Sequence, residues 1–490
     1  GKSGEIYYIE TQGHASFASF EGPGELKRFT LEARDASTMM SDVSAFELSA
    51  DGEKVLYNKG SSWFVSAVGD ELKPGKGKLD LDAIVVNADP RAEWAQIFNE
   101  AWRINRDWFY DPNFHGADWP AMREKYAQFL PHLASREDLD RVIRWMLSEL
   151  SVGHSYLTPG EYPNGPEPVP VGLLGADYEV DQGRYRFAKI YGGLNWNADL
   201  HAPLRKAGVE VNEGDYLIAV NGREVKAPDN LYHAFMNQVG RQVSIKVADN
   251  PAGRDAREYT VLPVARETSL RYLDWLEGNL RYVNEKTDGR VAYVHVPNTA
   301  DYGYEMFKRY FYPQSHKDAI IVDERYNGGG LIADYYIDIL RREYISHWNF
   351  RYGNDLKSPR GSIQGPKVML ADEGAGSGGD LLPWMFKKFN MGPVIGKRTW
   401  GGLVGILGFP PLMDGGSVTA PNLGFWTEDG FRVENEGVAP DIEVEQWPAD
   451  VNAGRDPQLD KAIEVILNAL EEEPPVAPQR PDYPVRVYQH

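Results

Sequence analysis

The sequence predicts a multidomain α/β protein, and three observations carry that expectation. Its 490 residues are too many for one hydrophobic core and correspond to roughly three or four domains. The hydrophobic pattern changes along the chain, from short strand-like segments to helical periodicity and back to strands. After Arg266, apolar runs alternate with glycine-rich turns and helical segments, the rhythm of βαβ units around a parallel sheet.

Residues 1–88 read as strands joined by tight turns. Gly4-Glu5-Ile6-Tyr7-Tyr8-Ile9 is one strand, and Asp51-Gly52 between two apolar segments signals a hairpin. From Asp89 to Leu150 the period lengthens: Trp94, Ile97, Phe98, Ala101, Trp102 and Ile104 fall on one helical face. Ser135-Arg136-Glu137-Asp138 places an N-cap serine ahead of acidic first-turn residues, opening a second amphipathic helix. Packing of a small helical domain accounts for nearly all of these residues. Arg290–Val296 reads as a strand, and Ala319–Asp323 and Lys367–Ala371 as buried strands. The final helix covers Pro457–Leu470, ahead of a Pro-rich mobile or surface-bound tail.

Composition narrows the function. A net charge of −20 argues against nucleic acid and anionic membrane surfaces as partners. The absence of cysteine excludes disulfides, thiolate nucleophiles and cysteine-based zinc sites. No run approaches the ~18 apolar residues of a membrane helix. No apolar leader follows Gly1-Lys2-Ser3, so no signal peptide is expected; the cytoplasm is the expected compartment, with the periplasm as the alternative. Asp and Glu are abundant but scattered, a solvated surface rather than the paired carboxylates of a glycosidase.

Two glycine-rich turns stand out. Glu373-Gly374-Ala375-Gly376-Ser377-Gly378-Gly379-Asp380-Leu381 lies between an apolar strand and a helix, which puts Ser377 at a helix N-terminus. There its hydroxyl is exposed beside free backbone N–H groups, and small neighbours let a carbonyl approach. A phosphate cradle is disfavoured, because the Lys-Ser/Thr pair that ends a P-loop is missing. Asp323-Glu324-Arg325-Tyr326-Asn327-Gly328-Gly329-Gly330 likewise follows a buried strand and opens a helix. Two such turns on adjacent strands can supply two N–H donors to one oxyanion, as acyl transfer requires.

Together these segments resemble the S41 peptidase superfamily. Its C-terminal processing branch activates serine with a lysine, but here Gly396-Lys397-Arg398-Thr399-Trp400-Gly401-Gly402-Leu403 has Gly402 at the lysine position. The tricorn branch uses a histidine from a helical domain, and Val152-Gly153-His154-Ser155-Tyr156 resembles that motif. The likeness continues through Gly430–Asp441. Val171-Gly172-Leu173-Leu174-Gly175 resembles a PDZ carboxylate-binding loop, with Ala202–Gly208 and Glu213–Gly222 as the helix and hairpin that follow. The N-terminal strands resemble a blade and a bit of a β-propeller. One blade cannot bury both faces, so the chain is expected to be the C-terminal portion of a larger protein.

The resemblance implies partial propeller blades over 1–88, a small helical domain over 89–166 and a PDZ domain over 167–266. A crotonase-like or ClpP-like α/β S41 catalytic domain then covers 267–475, and a Pro-rich tail 476–490. It implies a serine endopeptidase acting on oligopeptides or unfolded polypeptides, without metal or cofactor, in a homo-oligomer (a hexamer in this family). Ser377 is the implied nucleophile, His154 the base and Glu434 the acidic member of the network. Gly330 and Gly378 are the implied oxyanion donors. Trp348 stands where the tricorn branch carries a substrate-binding aspartate, so a preference for Lys or Arg at P1 is expected to weaken. Two departures bear on activity. Gly153 replaces a serine that links base to glutamate, leaving Ser155, a water or direct contact from Glu434 to complete the network. Gly378 replaces an aspartate, a change expected to be mild because only its N–H is used. The competing reading is a catalytically impaired protein that binds peptides through its PDZ domain.

Overall fold

The computed structural model describes residues 4–11, 23–69, 72–73, 75–160, 168–197, 200–474 and 478–487. The expected boundary at 166/167 lies outside the described residues. Strands β1 (Glu5–Glu10), β2 (Gly24–Thr30), β3 (Asp35–Leu48), β4 (Lys54–Lys59) and β5 (Ser62–Ala67) form one antiparallel sheet in sequence order. The Asp51-Gly52 turn joins β3 to β4 as the sequence predicts: Gly52 has φ +69°, and Asp51 Oδ1 accepts from Glu53 N at 3.0 Å.

Helices α1 (Pro90–Trp108), α2 (Trp119–Ala127) and α3 (Arg136–Ser148) build the next unit, followed by the short strand β6 (Leu157–Thr158). Asp89 caps α1 by accepting from Arg91 N at 3.1 Å, with Pro90 at the first helical position. Ser135 and Asp138 form the capping box of α3. Ile97, Phe98, Ala101 and Ile104 on α1 meet Leu139, Ile143 and Met146 on α3 in one buried cluster.

Six strands follow: β7 (Ala176–Asp181), β8 (Arg184–Ile190), β9 (Tyr216–Val220), β10 (Arg223–Glu224), β11 (Val243–Ala248) and β12 (Arg257–Val261). They form an antiparallel sheet ordered β12-β11-β9-β8-β7, with β10 on β9. The helix expected at Ala202–Gly208 is only a 3₁₀ turn, Pro203–Arg205. Between Pro203 and Gly208, which has φ +84°, too few residues remain to nucleate an α-helix.

The remainder comprises α4 (Thr268–Lys286), β13 (Val291–His295), α5 (Asp301–Gln314), β14 (Ala319–Asp323), α6 (Ala333–Leu340), β15 (Ser346–Trp348), β16 (Leu356–Ser358), β17 (Lys367–Ala371), α7 (Gly378–Lys388), β18 (Val394–Gly396), β19 (Ser417–Val418), β20 (Trp426–Thr427), β21 (Gly430–Phe431), β22 (Ile442–Glu443), α8 (Pro448–Asn452) and α9 (Pro457–Glu472). Its central sheet, β13-β14-β17-β18-β22, is parallel throughout. The α/β expectation therefore holds, and β14 and β17 fall where the sequence places them.

The two faces of β14 divide by the period-2 rule. Ile320 and Val322 join a core with α6 and α7, whereas Ala319 and Ile321 join one with α4 and α9. Both glycine-rich turns leave the C-terminal end of this sheet, where parallel α/β sheets place their sites. Of the Pro-rich tail, Tyr483 donates to Asn349 Oδ1 at 2.7 Å and Arg480 pairs with Asp355 at 3.4 Å, so this part lies against the β15–β16 ribbon. No helix among the described residues is long and apolar enough to cross a membrane.

Candidate active site

Ser377 occupies the sharp turn from β17 into α7 with φ +58° and ψ −116°, a backbone region that non-glycine residues rarely adopt. Surrounding hydrogen bonds hold it there. Its N–H donates to Asp380 Oδ2 at 2.9 Å, Gly376 N donates to Asn327 O at 3.0 Å, and Trp400 N donates to Ala375 O at 2.9 Å. A Cβ on Gly376 would lie 2.6 Å from the Trp400 ring, so the residue before the serine has no room for a side chain.

The two glycine turns meet at Ser377. A Cβ on Gly329 would fall 2.6 Å from Ser377 Cβ, and one on Gly378 would fall 2.8 Å from Gly330 N. Neither Gly330 N nor Gly378 N donates a hydrogen bond among the described residues. Two unspent donors thus lie side by side next to the serine.

His154 reaches the same region from the segment after α3, and long-range contacts to Glu434, Thr419 and Trp400 place it. Gly153 N donates to Glu434 Oε1 at 2.6 Å, while Leu403 N and Val404 N donate to Glu434 Oε2, each at 2.7 Å. Thr419 Oγ1 donates to His154 O at 2.6 Å and accepts from Tyr156 N at 2.8 Å, continuing the β6–β19 pairing. The imidazole lies edge-on to Trp400, with ring centroids 5.3 Å apart, and is 7% exposed. Burial lowers its pKa below the usual 6.5; the negative charges of Glu434 and Asp380 oppose that shift without cancelling it. A neutral, desolvated imidazole is suited to accept a proton at neutral pH.

Glu434 therefore does not hold the imidazole directly. Both its oxygens are engaged by backbone N–H groups, and the strained residues on either side, Val433 (φ +74°) and Asn435 (φ +62°), aim it inward. His154 Nδ1 and Ser155 Oγ are buried with no hydrogen-bond partner among the described residues. A serine at position 153 would bring its Cβ to 2.9 Å from Gly402 Cα and 3.2 Å from Trp400, so the backbone around Gly402 would have to shift to admit it. Glycine at 153 is fitted to this packing.

No role for Asp380 follows from the sequence. The structure makes it the central brace: besides Ser377 N it accepts from Gly401 N at 2.8 Å, Gly402 N at 3.0 Å and the Thr399 hydroxyl. Burial raises its pKa even so. Trp400 and Thr419 were also missed; each acts across hundreds of residues, and no local pattern reports that. Lys397, the nearest candidate for a lysine base, is bound to Glu443 and Glu445 at 2.8 Å each, which raises its pKa and keeps it charged. Trp348 ends β15, is 66% exposed, and has no hydrogen bond or ring contact with Ser377, His154 or Glu434. Among the described residues, no three His, Asp or Glu side chains are grouped to hold a metal ion.

In the loop at Val171–Gly175, three N–H groups are bound internally. Gly172 N donates to Phe235 O at 2.9 Å, Leu173 N to Val264 O at 2.8 Å, and Gly175 N to Glu267 Oε2 at 3.0 Å. Three of the N–H groups of this loop are thus engaged within the chain, one of them by a carboxylate.

Comparison with known proteins agrees with this architecture. Residues 90–148 match the family model of the tricorn protease C1 domain, 172–266 the tricorn protease PDZ domain, and 290–444 peptidase family S41. The chain is 36% identical over 489 residues to a putative tricorn-like protease C-terminal subunit from Sulfurisphaera tokodaii, an alignment covering 96% of this chain and 56% of that one. It is 32% identical over 474 residues to the tricorn protease of Thermoplasma acidophilum, covering 96% and 44% respectively. A crystal structure of the tricorn protease superposes with a TM-score of 0.87 at 30% identity, over 95% of this chain and 46% of that one. The chain spans about half the length of these relatives. With C1, PDZ and S41 domains in the same order and a shared fold, the chain belongs to the tricorn branch of the S41 peptidases.

Proposed function

We propose that this chain is a serine endopeptidase acting on peptides or unfolded polypeptides through an acyl-enzyme. Ser377 Oγ attacks the scissile carbonyl carbon while His154 takes its proton. The negative charge that develops on the carbonyl oxygen is met by the N–H groups of Gly330 and Gly378. When the tetrahedral intermediate collapses, the C–N bond breaks and His154 returns the proton to the leaving amine. Water then repeats the sequence on the ester. Glu434 acts as a positioning residue, through the backbone of Gly153 rather than through the ring. The observations that support this reading are a strained, helix-terminal serine beside two unspent N–H donors, and a desolvated histidine packed on Trp400, the ring that Gly376 also abuts.

A fluorophosphonate probe tests it, because labelling requires an activated hydroxyl. Modification is expected on Ser377 and is expected to vanish in Ser377→Ala; a wild-type chain that stays unlabelled would reject the peptidase reading. The competing PDZ-receptor reading has no observation in its favour, and Gly172 N, Leu173 N and Gly175 N are already bound within the chain.

Trp348 is proposed as a specificity residue that offers apolar area without a countercharge. Asp355, the nearest alternative acid on the ribbon, is engaged by Asn349 at 2.8 Å and Arg480 at 3.4 Å. Apolar or small P1 residues are therefore expected to be hydrolysed at least as well as Lys or Arg. Trp348→Ala is expected to change kcat/KM among P1 variants several-fold while leaving fluorophosphonate labelling intact. An unchanged P1 ranking would remove Trp348 from the site. Self-association into a homo-oligomer belongs to the same proposal, and sedimentation of the purified chain reads it.

A further inference from the structure

Two histidines are buried among the described residues, and the peptidase reaction uses only His154. The other, His295, is 3% exposed and ends β13. By the period-2 rule its side chain shares the face of Val291 and Tyr293, which α4 and α9 cover. Two rings of α4 receive it. Trp275 lies edge-on with ring centroids 4.8 Å apart, and the Tyr272 hydroxyl is 2.9 Å from Nδ1. On the other side of the ring, Nε2 is 2.9 Å from the main-chain oxygen of Arg325.

These partners decide the tautomer. A carbonyl oxygen can only accept, so Nε2 carries the hydrogen of the pair with Arg325. Burial lowers the pKa of the ring below 6.5, against the pull of Asp323 and of the Arg325 carbonyl, and the imidazole is neutral near pH 7. Nδ1 is then the bare nitrogen and accepts from the Tyr272 hydroxyl. Tyr272 thereby selects the form of the ring that can donate to Arg325.

Arg325 lies in the turn that ends at Gly330. From Glu324 to Gly329 every backbone N–H has an acceptor. The fully buried Glu324 donates to Leu370 O at 3.0 Å, Arg325 to Asp323 Oδ1 at 3.1 Å and Tyr326 to Asp372 Oδ1 at 2.9 Å. Asn327 donates to Glu324 O at 3.1 Å, Gly328 to Pro297 O at 2.9 Å and Gly329 to Asn327 Oδ1 at 2.9 Å. Gly330 is the first residue along this run whose N–H is left over. The chain just past His295 borders the same turn: Val296 N donates to Asp323 O at 2.8 Å and Thr299 N to Gly329 O at 2.9 Å. Among the described residues, Arg325 O is the one carbonyl from Asp323 to Gly330 that a side chain holds. His295 thus ties the turn between its main-chain ties at Asp323 and Gly328.

We propose that His295 is a positioning residue for the peptidase reaction: held by Tyr272 as the Nε2–H tautomer, it fixes the Arg325 carbonyl and with it the turn that presents the Gly330 N–H to the oxyanion. The catalytic consequence rests on the peptidase reading; the hold on the turn does not.

Three variants and two readouts test this. Glutamine can donate to Arg325 O and accept from Tyr272, so His295→Gln is expected to keep kcat within about threefold of wild type. Leucine can do neither, and His295→Leu is expected to lower kcat by about tenfold or more with KM nearly unchanged, because the oxyanion forms only after substrate has bound. Tyr272→Phe keeps the histidine and its packing but frees the choice of tautomer, and a several-fold loss of kcat at constant KM is expected. The second readout needs no turnover. Amide hydrogen exchange over residues 324–330 should quicken in His295→Leu and stay near wild type in His295→Gln. The proposal is overturned if His295→Gln is as slow as His295→Leu, if Tyr272→Phe turns over like wild type, or if exchange in the turn is the same in all three chains. Failure of the peptidase reading would show instead as a wild-type chain that fluorophosphonate does not label, with the exchange pattern still able to stand.

Discussion

Replacing His154 by alanine is expected to lower kcat/KM by roughly 10³-fold or more and to abolish fluorophosphonate labelling at Ser377. The size of the effect follows from the absence of a substitute base. Lys397 is held by two glutamates, Asp380 is occupied by four donors, and Glu434 by three backbone N–H groups. The pH profile carries the same signature. An imidazole must be neutral to accept the serine proton, so wild-type kcat/KM should rise with pH through an inflection below 6.5, the direction in which burial moves this residue. Residual activity in His154→Ala should lack that inflection. Stability supplies an independent check. A depressed folded pKa gives a contribution that is present above the unfolded pKa and lost as pH falls through the folded one. Acidification from pH 7 to pH 5 should therefore cost the wild type more than the alanine variant. A wild-type inflection above 6.5 would mean that the charges of Glu434 and Asp380 outweigh burial, and the site would need a different account.

How much of this was legible in the sequence depends on the range over which each residue acts. Ser377 and Gly330 were readable because their turns are local: strand, glycines and helix start lie within a dozen residues, and sterics dictate that composition. Ser135 was readable as a cap for the same reason. His154 was recognisable only by resemblance, since a lone histidine after a helix has no local mark of reactivity. Thr419, which fixes the His154 carbonyl from 265 positions away, lies beside a two-residue strand with no periodicity to betray it. Asp380 has no local mark of its role, because the turn at Gly401 and Gly402 that completes its shell is brought in by β18. Glu324 sits in a strand-to-turn position where an exposed carboxylate would be unremarkable; only the three-dimensional neighbours show that it is sealed. The helix expected at Ala202–Gly208 failed for a local reason, with proline and left-handed glycine leaving room for a single turn.

Gly378 is where the sequence reading and the packing diverge most, and the largest structural effect is expected there. Replacing an aspartate of the family by glycine looked mild because only the N–H is used. In this chain the reverse change is not mild. A Cβ at 378 would lie 1.9 Å from Thr299 Oγ1, 2.4 Å from Gly330 O and 2.8 Å from Gly330 N. Two of those three atoms are backbone, so no side-chain rotation relieves the clash, and the second oxyanion donor is the group displaced. Gly378→Ala is therefore expected to reduce kcat by about 10²-fold or more, the scale of losing an oxyanion donor. A stability cost of about 1–3 kcal/mol should accompany it, from overpacking. Gly278→Ala is the control. It lies in the interior of α4 with nothing within 4 Å of its Cβ position, so helix propensity alone operates there. That variant should be stabilised by about 0.5–1 kcal/mol with unchanged turnover. Equal behaviour of the two variants would show that the 328–330 turn has enough freedom to move aside, and the close approach of Gly330 to Gly378 would then not limit the reaction.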